Sequence, residues 1–437
     1  MRLTDLRDRR VVVWGAGKEG NAALEVCRRH GIETVQVVTA AEESGDSEAA
    51  RVLAAAEVVV KSPGVPVATE LYQGLVRRGV LFTSGTDLWM SEHAARAIGI
   101  TGSKGKSTTA SVAAALLRAT GRRTELVGNI GEPLVAHLDD PDVGSTTYVA
   151  ELSSYQCQSL TVSPRVVCVT SLFPEHLPWH GGEQEYYRDK LNIAAHRPEV
   201  VVANGRDARV RALLPAVAGE APLLFSTDGE VVVEPDTGDV VWGRHLRVPA
   251  GDLALRGRHN AENMVLALLT LVSAGLLDTS DVETVHEVLT TFAPLAHRLE
   301  RVPSDDGRSW VDDGLATAPE AVAAALEVFG TDEVALVFGG SDRGLDFTVL
   351  VDHLAARAQP VHLMCIGPAG ARLADLVRGT HHTVQRFSTL EGALTWARSD
   401  DNPATVVLLA PGAPSFDAYR DYTDRSRAFR EMAIRPS

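Results

Sequence analysis

The chain has little cysteine. Its four cysteines, Cys27, Cys157, Cys168 and Cys365, lie far apart and none has CxxC spacing. They read as reduced thiols rather than a disulfide set or a zinc site. No apolar run reaches the roughly 18 residues that a membrane-spanning helix needs. The opening residues Met1-Arg2-Leu3-Thr4-Asp5 lack the apolar stretch of a signal peptide. With the reduced thiols, this gives the expectation of a cytoplasmic protein. Positive charge is short as well: 42 Lys and Arg against 57 Asp and Glu leave a formal charge of −15. That weighs against non-specific binding of nucleic acid, though a local basic pocket for an anionic ligand is compatible with it. Internal repeats, low-complexity tracts and long charge runs are absent.

What is present is a chain of 437 residues, too long for one ordinary core. Roughly 100–200 residues per domain suggests two to four domains. With 45% hydrophobic and 23% charged residues, the composition is that of a globular protein. Three largely apolar runs stop at glycine: Arg10–Trp14 before Gly15-Ala16-Gly17, Ala97–Thr101 before Gly102, and Val334–Phe338 before Gly339-Gly340. A buried parallel strand ends this way before a helix or a binding loop. Ala110–Leu117 and Glu262–Val272 have apolar helical spacing, and Val166–Thr170, Val200–Ala203 and Val406–Leu409 are short buried-strand candidates. The expectation is an α/β fold in three units, 1–93, 94–297 and 298–437. The first boundary falls where Ser91-Glu92-His93 breaks the pattern, the second after Phe292-Ala293-Pro294. Thr227–Pro249 alternates strand residues with Gly, Asp and Pro, which suggests a β-hairpin within the middle unit.

The segment Thr101-Gly102-Ser103-Lys104-Gly105-Lys106-Ser107-Thr108 lies between a strand and a helix. Phosphate binding needs backbone N–H groups converging at a helix N-terminus, glycines for close approach and a lysine as point charge. All of these are present in order. The strict GxxxxGK[ST] pattern would need glycine at position 100, which is Ile100, so this is a shorter variant. The bland alternative is a tight strand–helix turn with an incidental lysine. Near the N-terminus, Gly15-Ala16-Gly17-Lys18-Glu19-Gly20 is a GxGxxG after a strand, which by itself suggests a dinucleotide site. The next strand, Thr34–Val38, ends at Thr39 and Ala40 with no acidic residue for the ribose, which weighs against NAD.

The loop resembles the ATP loop of the Mur ligase family, a family that also includes folylpolyglutamate synthetases. Further matches follow in the family's order across nearly the whole chain: Gly128-Asn129-Ile130-Gly131, Glu151-Leu152-Ser153-Ser154-Tyr155-Gln156, Glu175-His176, Tyr186 with Lys190, Gly257-Arg258-His259-Asn260 with Asn263, and His297-Arg298-Leu299-Glu300. The resemblance implies three domains, the outer two Rossmann-like and the central one of P-loop ATPase type. GNIG and ELSSYQ point to the branch that joins glutamate to UDP-N-acetylmuramoyl-L-alanine. Folate substrates are disfavoured by the same two motifs, and intact Lys106, Glu151, His176 and Lys190 argue against a non-catalytic nucleotide-binding relative.

The chemistry of the residues agrees. Phosphoryl transfer to a carboxylate needs magnesium to neutralise charge. Glu151 follows the apolar run Thr147–Ala150 and would emerge at a strand's C-terminal end, where α/β sites form. Ser107 can offer its hydroxyl to the same ion, and His176 suits a second metal ligand by the resemblance; an isolated histidine would more often be structural. In the family the lysine matching Lys190 is carbamylated, giving a carboxylate-like group near a second magnesium; the alternative is a surface lysine on a helix. Asn260 and Asn263 share a helix face and by resemblance contact adenine, although Asn260 could also cap its helix. Arg298 and Asp313 resemble the ATP residues of the third unit, and Arg298 could equally make an interdomain salt bridge. For the first unit, the resemblance implies that Gly15, Ala16, Gly17, Lys18, Thr39, Ser62, Gly64 and Thr86, with Asn129 and Ser153, hold the UDP substrate. A monomer is expected.

The resemblance also bears on which glutamate is used. D-glutamate-adding members carry Asp-Ser-Lys-Ala-Thr where this chain has Asp313-Gly314-Leu315-Ala316-Thr317, and Leu315 cannot pair with a carboxylate. With Ser171–Gly181, Gly339–Asp346 and Pro411–Phe416, this resembles a less common branch that adds L-glutamate, whose product a separate epimerase inverts. The D-isomer is the alternative. Inverting the Cα while the amine stays aimed at the acyl phosphate must redirect a carboxylate, so the cation should move. Arg343 is the candidate partner, unless it pairs locally with Asp342 or Asp346. Ser415 and Tyr422 fall where the D-branch contacts the glutamate side chain.

Overall fold

A computed structural model describes residues 1–37, 48–293, 297–317, 319–342, 347–413, 415 and 418–434. The chain forms two compact units, Met1–Phe292 and Ala293–Ser437. The first unit opens with four parallel strands, β1 (Val11–Trp14), β2 (Thr34–Val37), β3 (Val58–Lys61) and β4 (Leu81–Thr83), in the order β2-β1-β3-β4. The two interior strands are valine-rich and buried along their whole length, as strands covered on both faces must be.

A second parallel sheet follows: β5 (Ala97–Thr101), β6 (Thr124–Gly128), β7 (Thr147–Glu151), β8 (Val166–Val169), β9 (Val200–Ala203) and β10 (Leu223–Phe225), in the order β10-β9-β8-β5-β7-β6. Its central strand, β5, lies between β8 and β7, so Thr101, Glu151 and the residues after Val169 share one carboxyl edge. One apolar core joins the two sheets: Leu6 and Val13 pack in the same cluster as Trp89, Tyr148 and Leu191. On the other face of the second sheet, the helices Lys106–Ala119 and Arg258–Ser273 bury a further core.

Two expectations need correction. The segment expected as a hairpin contains three strands, β11 (Val231–Val233), β12 (Val240–Trp242) and β13 (Leu246–Val248), paired antiparallel in that order. The third strand was obscured by its exposed Arg247, yet Leu246 and Val248 face the core. Ser91-Glu92-His93 also continues the helix Gly85–His93 rather than breaking it. These polar side chains have fixed partners. The Met1 ammonium donates to Ser91 Oγ at 3.0 Å, and the Leu3 N–H donates to Glu92 Oε1 at 3.1 Å.

The second unit is one six-stranded sheet: β14 (Glu300–Val302), β15 (Ser309–Asp312), β16 (Val334–Gly339), β17 (Val361–Ile366), β18 (Thr383–Phe387) and β19 (Val406–Leu409), ordered β14-β15-β19-β16-β17-β18. Only β14, at the edge, runs antiparallel to its neighbour. The helix Tyr422–Ala433 packs on this sheet through Phe429, whose ring lies 5.1 Å from that of Trp310.

Candidate active site

The phosphate-loop segment is a strand–loop–helix turn built on two left-handed glycines. Gly102 has φ of 147° and Gly105, the residue capping the helix Lys106–Ala119, has φ of 89°. A side chain at either would be strained, and a Cβ on Gly105 would strike Asn263 Oδ1. The loop is fastened by the segment after β8. Lys104 N–H donates to Ser171 Oγ at 2.8 Å, and the Thr170 and Ser171 hydroxyls donate to Lys104 O at 2.5 and 3.0 Å. Ser103 Oγ donates to Phe173 O and shares a hydrogen bond with Tyr186 Oη, both at 2.8 Å. Lys106 folds back over the loop, donating to Gly102 O at 2.9 Å and Ser103 O at 3.0 Å. Ser107 is buried and Thr108 half-buried at the first turn. Lys104 pairs with Glu175 at 2.8 Å. Asn263 is buried and accepts from Thr109 at 3.4 Å, while Asn260 donates to Arg256 O at 2.7 Å.

Lys190 arrives at the same carbonyl. Its side chain is 2% exposed, and Nζ donates to Gly102 O at 2.8 Å while lying 5.1 Å over the Tyr186 ring. Burial, reinforced by the nearby charge of Lys106, lowers its pKa to about 7. A lysine held there is partly a neutral amine at neutral pH. Glu151, the last residue of β7, is buried; Oε1 accepts from Asn129 Nδ2 at 2.8 Å. Its Oε2 has no hydrogen-bond partner among the described residues. A buried carboxylate oxygen left unpaired is costly, and a cation would satisfy it. His176 sits in the left-handed region at φ of 56°, with its ring 5.1 Å from Tyr155. Desolvation holds its imidazole below the ordinary value, opposed by Glu175 and helped by Lys190.

Beside this lies a cavity of about 420 Å³. Its walls include Gly15, Ala16, Gly17, Lys18, Ser62 and Gly64 from the first sheet, with Asn129 and Ser153 from the second. Lys18 reaches across to donate to Gly131 O at 2.8 Å. Gly15, at φ of 113°, lies so close to Ser62 that a Cβ would collide with it. Thr86 is not in the wall. It is buried and donates through N and Oγ1 to Glu19 Oε1 at 2.8 and 2.9 Å. Thr39 lies outside the described residues.

In the second unit, Asp313 is buried, and its pKa is pushed up to about 7 by desolvation, against the lowering effects of the Arg298 charge and the Leu299 N–H at 3.2 Å. Arg298 lies between two left-handed non-glycine residues, His297 at φ of 64° and Leu299 at 45°. Each such residue costs on the order of 1–3 kcal/mol, so the turn must be held by its surroundings. Leu315 N–H donates to His297 O at 3.2 Å. Ser415 is buried and its Oγ has no partner among the described residues, while Tyr422 is exposed with its ring 5.9 Å from His297. Arg343 lies outside the described residues.

Comparison with known proteins bears on this arrangement. The family model of the Mur ligase middle domain matches residues 100–271, and that of the Mur ligase glutamate ligase domain matches 297–412. A UDP-N-acetylmuramoyl-L-alanine–L-glutamate ligase from Micromonospora sp. is 42% identical over 99% of this chain and 98% of its own. The chain belongs to the Mur ligase family. A ligase of the same name from Xanthomonas campestris pv. campestris is 37% identical over 99% of this chain and 97% of its own. Among solved structures, the MurF ligase of Thermotoga maritima in complex with ADP shares the fold, with a TM-score of 0.58 and 17% identity, covering 98% of this chain and 97% of that one.

Within this Mur ligase, sequence reasoning overlooked a buried polar layer that reaches the cavity wall at Glu19 and Gln156. Gln156 Nε2 donates to Glu19 Oε2 at 3.1 Å. Lys61, also buried, has its pKa pulled down to about 8 by desolvation, with Glu19 and Asp189 opposing the shift. His180 shares hydrogen bonds with Asp189 at 2.7 Å and Ser154 at 3.0 Å. Glu19 lies inside GxGxxG and Ser154 and Gln156 inside the Glu151–Gln156 motif, but no spacing rule joins them to Lys61, His180 and Asp189. The donor set around the loop fits a hard cation such as magnesium: a buried unpaired carboxylate oxygen on Glu151 and the Ser107 hydroxyl.

Proposed function

We propose that this Mur ligase adds L-glutamate to UDP-N-acetylmuramoyl-L-alanine at the expense of ATP, in the synthesis of peptidoglycan precursors. The observation that carries the reading is the end-to-end match to relatives named for that reaction. The phosphate loop, with two lysine side chains meeting at Gly102 O, supports it. Leu315, in place of a lysine, supports the L-isomer. The cavity beside Gly15–Lys18 takes the UDP end of the acceptor. The loop amides of Gly102–Thr108 take the ATP phosphates, and Asn260 and Asn263 face the adenine. Arg298 and Asp313 bring the second unit to the nucleotide, and Ser415, Tyr422 and Arg343 hold the glutamate.

The alanyl carboxylate oxygen attacks the γ-phosphorus, the bond to the β-phosphate oxygen breaks, and ADP leaves. Lys106 shifts from the loop carbonyls to the transferring group and stabilises its charge. The glutamate amine, in its free-base form, then attacks the acyl phosphate carbon. The amine proton is lost, and the C–O bond to phosphate breaks as the amide forms. Magnesium, as two ions held by Ser107, Glu151, His176 and carbamylated Lys190, supplies charge neutralisation when bound. The lowered pKa of Lys190 suits carbamylation, because carbon dioxide reacts with the neutral amine. We further read the protein as a cytoplasmic monomer whose product passes to an epimerase. Among the described residues no helix is long and apolar enough to cross a membrane.

The test is phosphate release by the purified protein with ATP and magnesium, omitting the acceptor or the amino acid in turn. Release should need both. Release that proceeds equally without any amino acid would exclude the ligase reaction.

A further inference from the structure

The turn His297–Glu300 presents Arg298 on a backbone that the chain would not adopt by itself, with left-handed residues on either side of the arginine. Three side-chain donors crowd beneath it. The ligand atoms of His297, Glu300 and Asp312 lie within 4.8 Å of one another, close enough for a metal cluster. A protein cation already fills that role. Arg430, from the helix Tyr422–Ala433, donates through Nε to Asp312 Oδ2 at 2.9 Å and through Nη2 to Glu300 Oε2. Glu300 Oε2 also accepts the His297 N–H at 2.8 Å, and Asp312 Oδ2 pairs with His297 Nδ1 at 2.7 Å. Asp312 is fully buried and its other oxygen accepts from Ser426 Oγ at 2.9 Å and Gly314 N–H at 3.0 Å. The His297 end of the strained turn therefore hangs from two carboxylates, one of them Glu300 at the turn's other end, and one guanidinium bridges the pair. Without that charge, the two acids would repel across a partly dry space, and the turn could relax out of its left-handed geometry.

We propose that Arg430 is a positioning residue for the ligase reaction: by bridging Glu300 and Asp312 it locks the His297–Glu300 turn in the form that delivers Arg298 to ATP. The inference rests on the reading of Arg298 as an ATP residue. A planar, two-pronged cation suits two acceptors, and lysine, a point charge, can serve only one of them well.

The experiment is a double-mutant cycle on the full-length protein with Arg298→Ala, Arg430→Gln and the pair, measuring kcat and KM for ATP and for the UDP acceptor, with thermal melting as a check on folding. Arg430→Gln should raise KM for ATP on the order of tenfold to a hundredfold, as misplaced binding groups do, and leave KM for the acceptor unchanged. A mere loss of folded protein would lower kcat and leave KM for ATP alone. Arg430→Lys should recover part of the loss. Combined with Arg298→Ala, the Arg430 change should add almost nothing. An Arg430→Gln enzyme with wild-type KM for ATP, or effects that multiply in the pair, would overturn the inference while Arg298→Ala still showed the ATP defect. If Arg298→Ala itself kept the wild-type KM for ATP, the reading of Arg298 would fall and take the inference with it.

Discussion

The phosphate loop and the Arg298 turn both bend the backbone into left-handed geometry, but they do so by opposite means. At the loop the conformation is intrinsic: Gly102 and Gly105 accept positive φ freely, and neighbouring hydroxyls fasten the loop. At the turn the conformation is imposed: His297 and Leu299 resist it, and one charged side chain brought in from a distant helix ties together the carboxylates that hold it. A site built on glycine can be recognised from a few adjacent letters. A site built on long-range ion pairs becomes visible only after folding.

That contrast can be broken, and the largest effect should come from the loop. On the proposed mechanism Lys106→Ala removes the charge that follows the transferring phosphoryl group, and kcat should fall on the order of 10²–10³-fold, the loss typical of one preorganised donor. Steady-state phosphate release measures it. A drop of less than about tenfold would mean that the loop binds ATP without catalysing transfer.

The next effect sets the two units against each other through pH. As the free amine, in carbon-dioxide-free buffer, Lys190 has a folded-state pKa of about 7 against an ordinary 10.5. Between those values the unfolded chain holds a proton that the folded one lacks, so this residue makes stability rise with pH above about 7. Asp313 is shifted the other way, from 3.8 to about 7. Between those values the folded chain holds the extra proton, so stability falls as pH rises and levels off above about 7. Thermal melts across pH should show the advantage of Lys190→Met over wild type shrinking in the alkaline window. The advantage of Asp313→Asn should grow across the acidic one. Parallel pH trends in the two variants would refute the opposed burial of these groups. Removing Arg298 should raise the Asp313 pKa further, since its positive charge now opposes the shift.

The smallest effect tests intrinsic against imposed geometry. Gly105→Ala should cost about 1–2 kcal/mol of stability from left-handed strain, plus whatever displacing Asn263 requires, as read by denaturant unfolding. A neutral result would mean that the loop has room to relax.

Much of the fold was legible because buried parallel strands announce themselves as short apolar runs. Ala97–Thr101, Val200–Ala203 and Val406–Leu409 are strands with those limits. Polar residues misled where their partners were remote: Ser91 and Glu92 looked like a break because the bonds that seat them come from Met1 and Leu3. The cavity wall was largely legible from the GxGxxG and Ser-Pro-Gly segments. Nothing local says that the Thr86 hydroxyl turns toward Glu19. The Asp312–Arg430 pair was invisible for the same reason, with 118 positions separating the partners. Lys190 reads as an ordinary helical lysine by composition, and only burial against Gly102 and Tyr186 reveals its altered charge.

The central claim is that this ligase selects L-glutamate. Its most direct test is the ratio of kcat/KM for L- and D-glutamate with UDP-N-acetylmuramoyl-L-alanine as acceptor, measured by phosphate release and checked by the chirality of the glutamate in the hydrolysed product. The account predicts a strong preference for the L-isomer and L-glutamate in the product. A preference for D-glutamate would contradict it and return Leu315 to an ordinary apolar position.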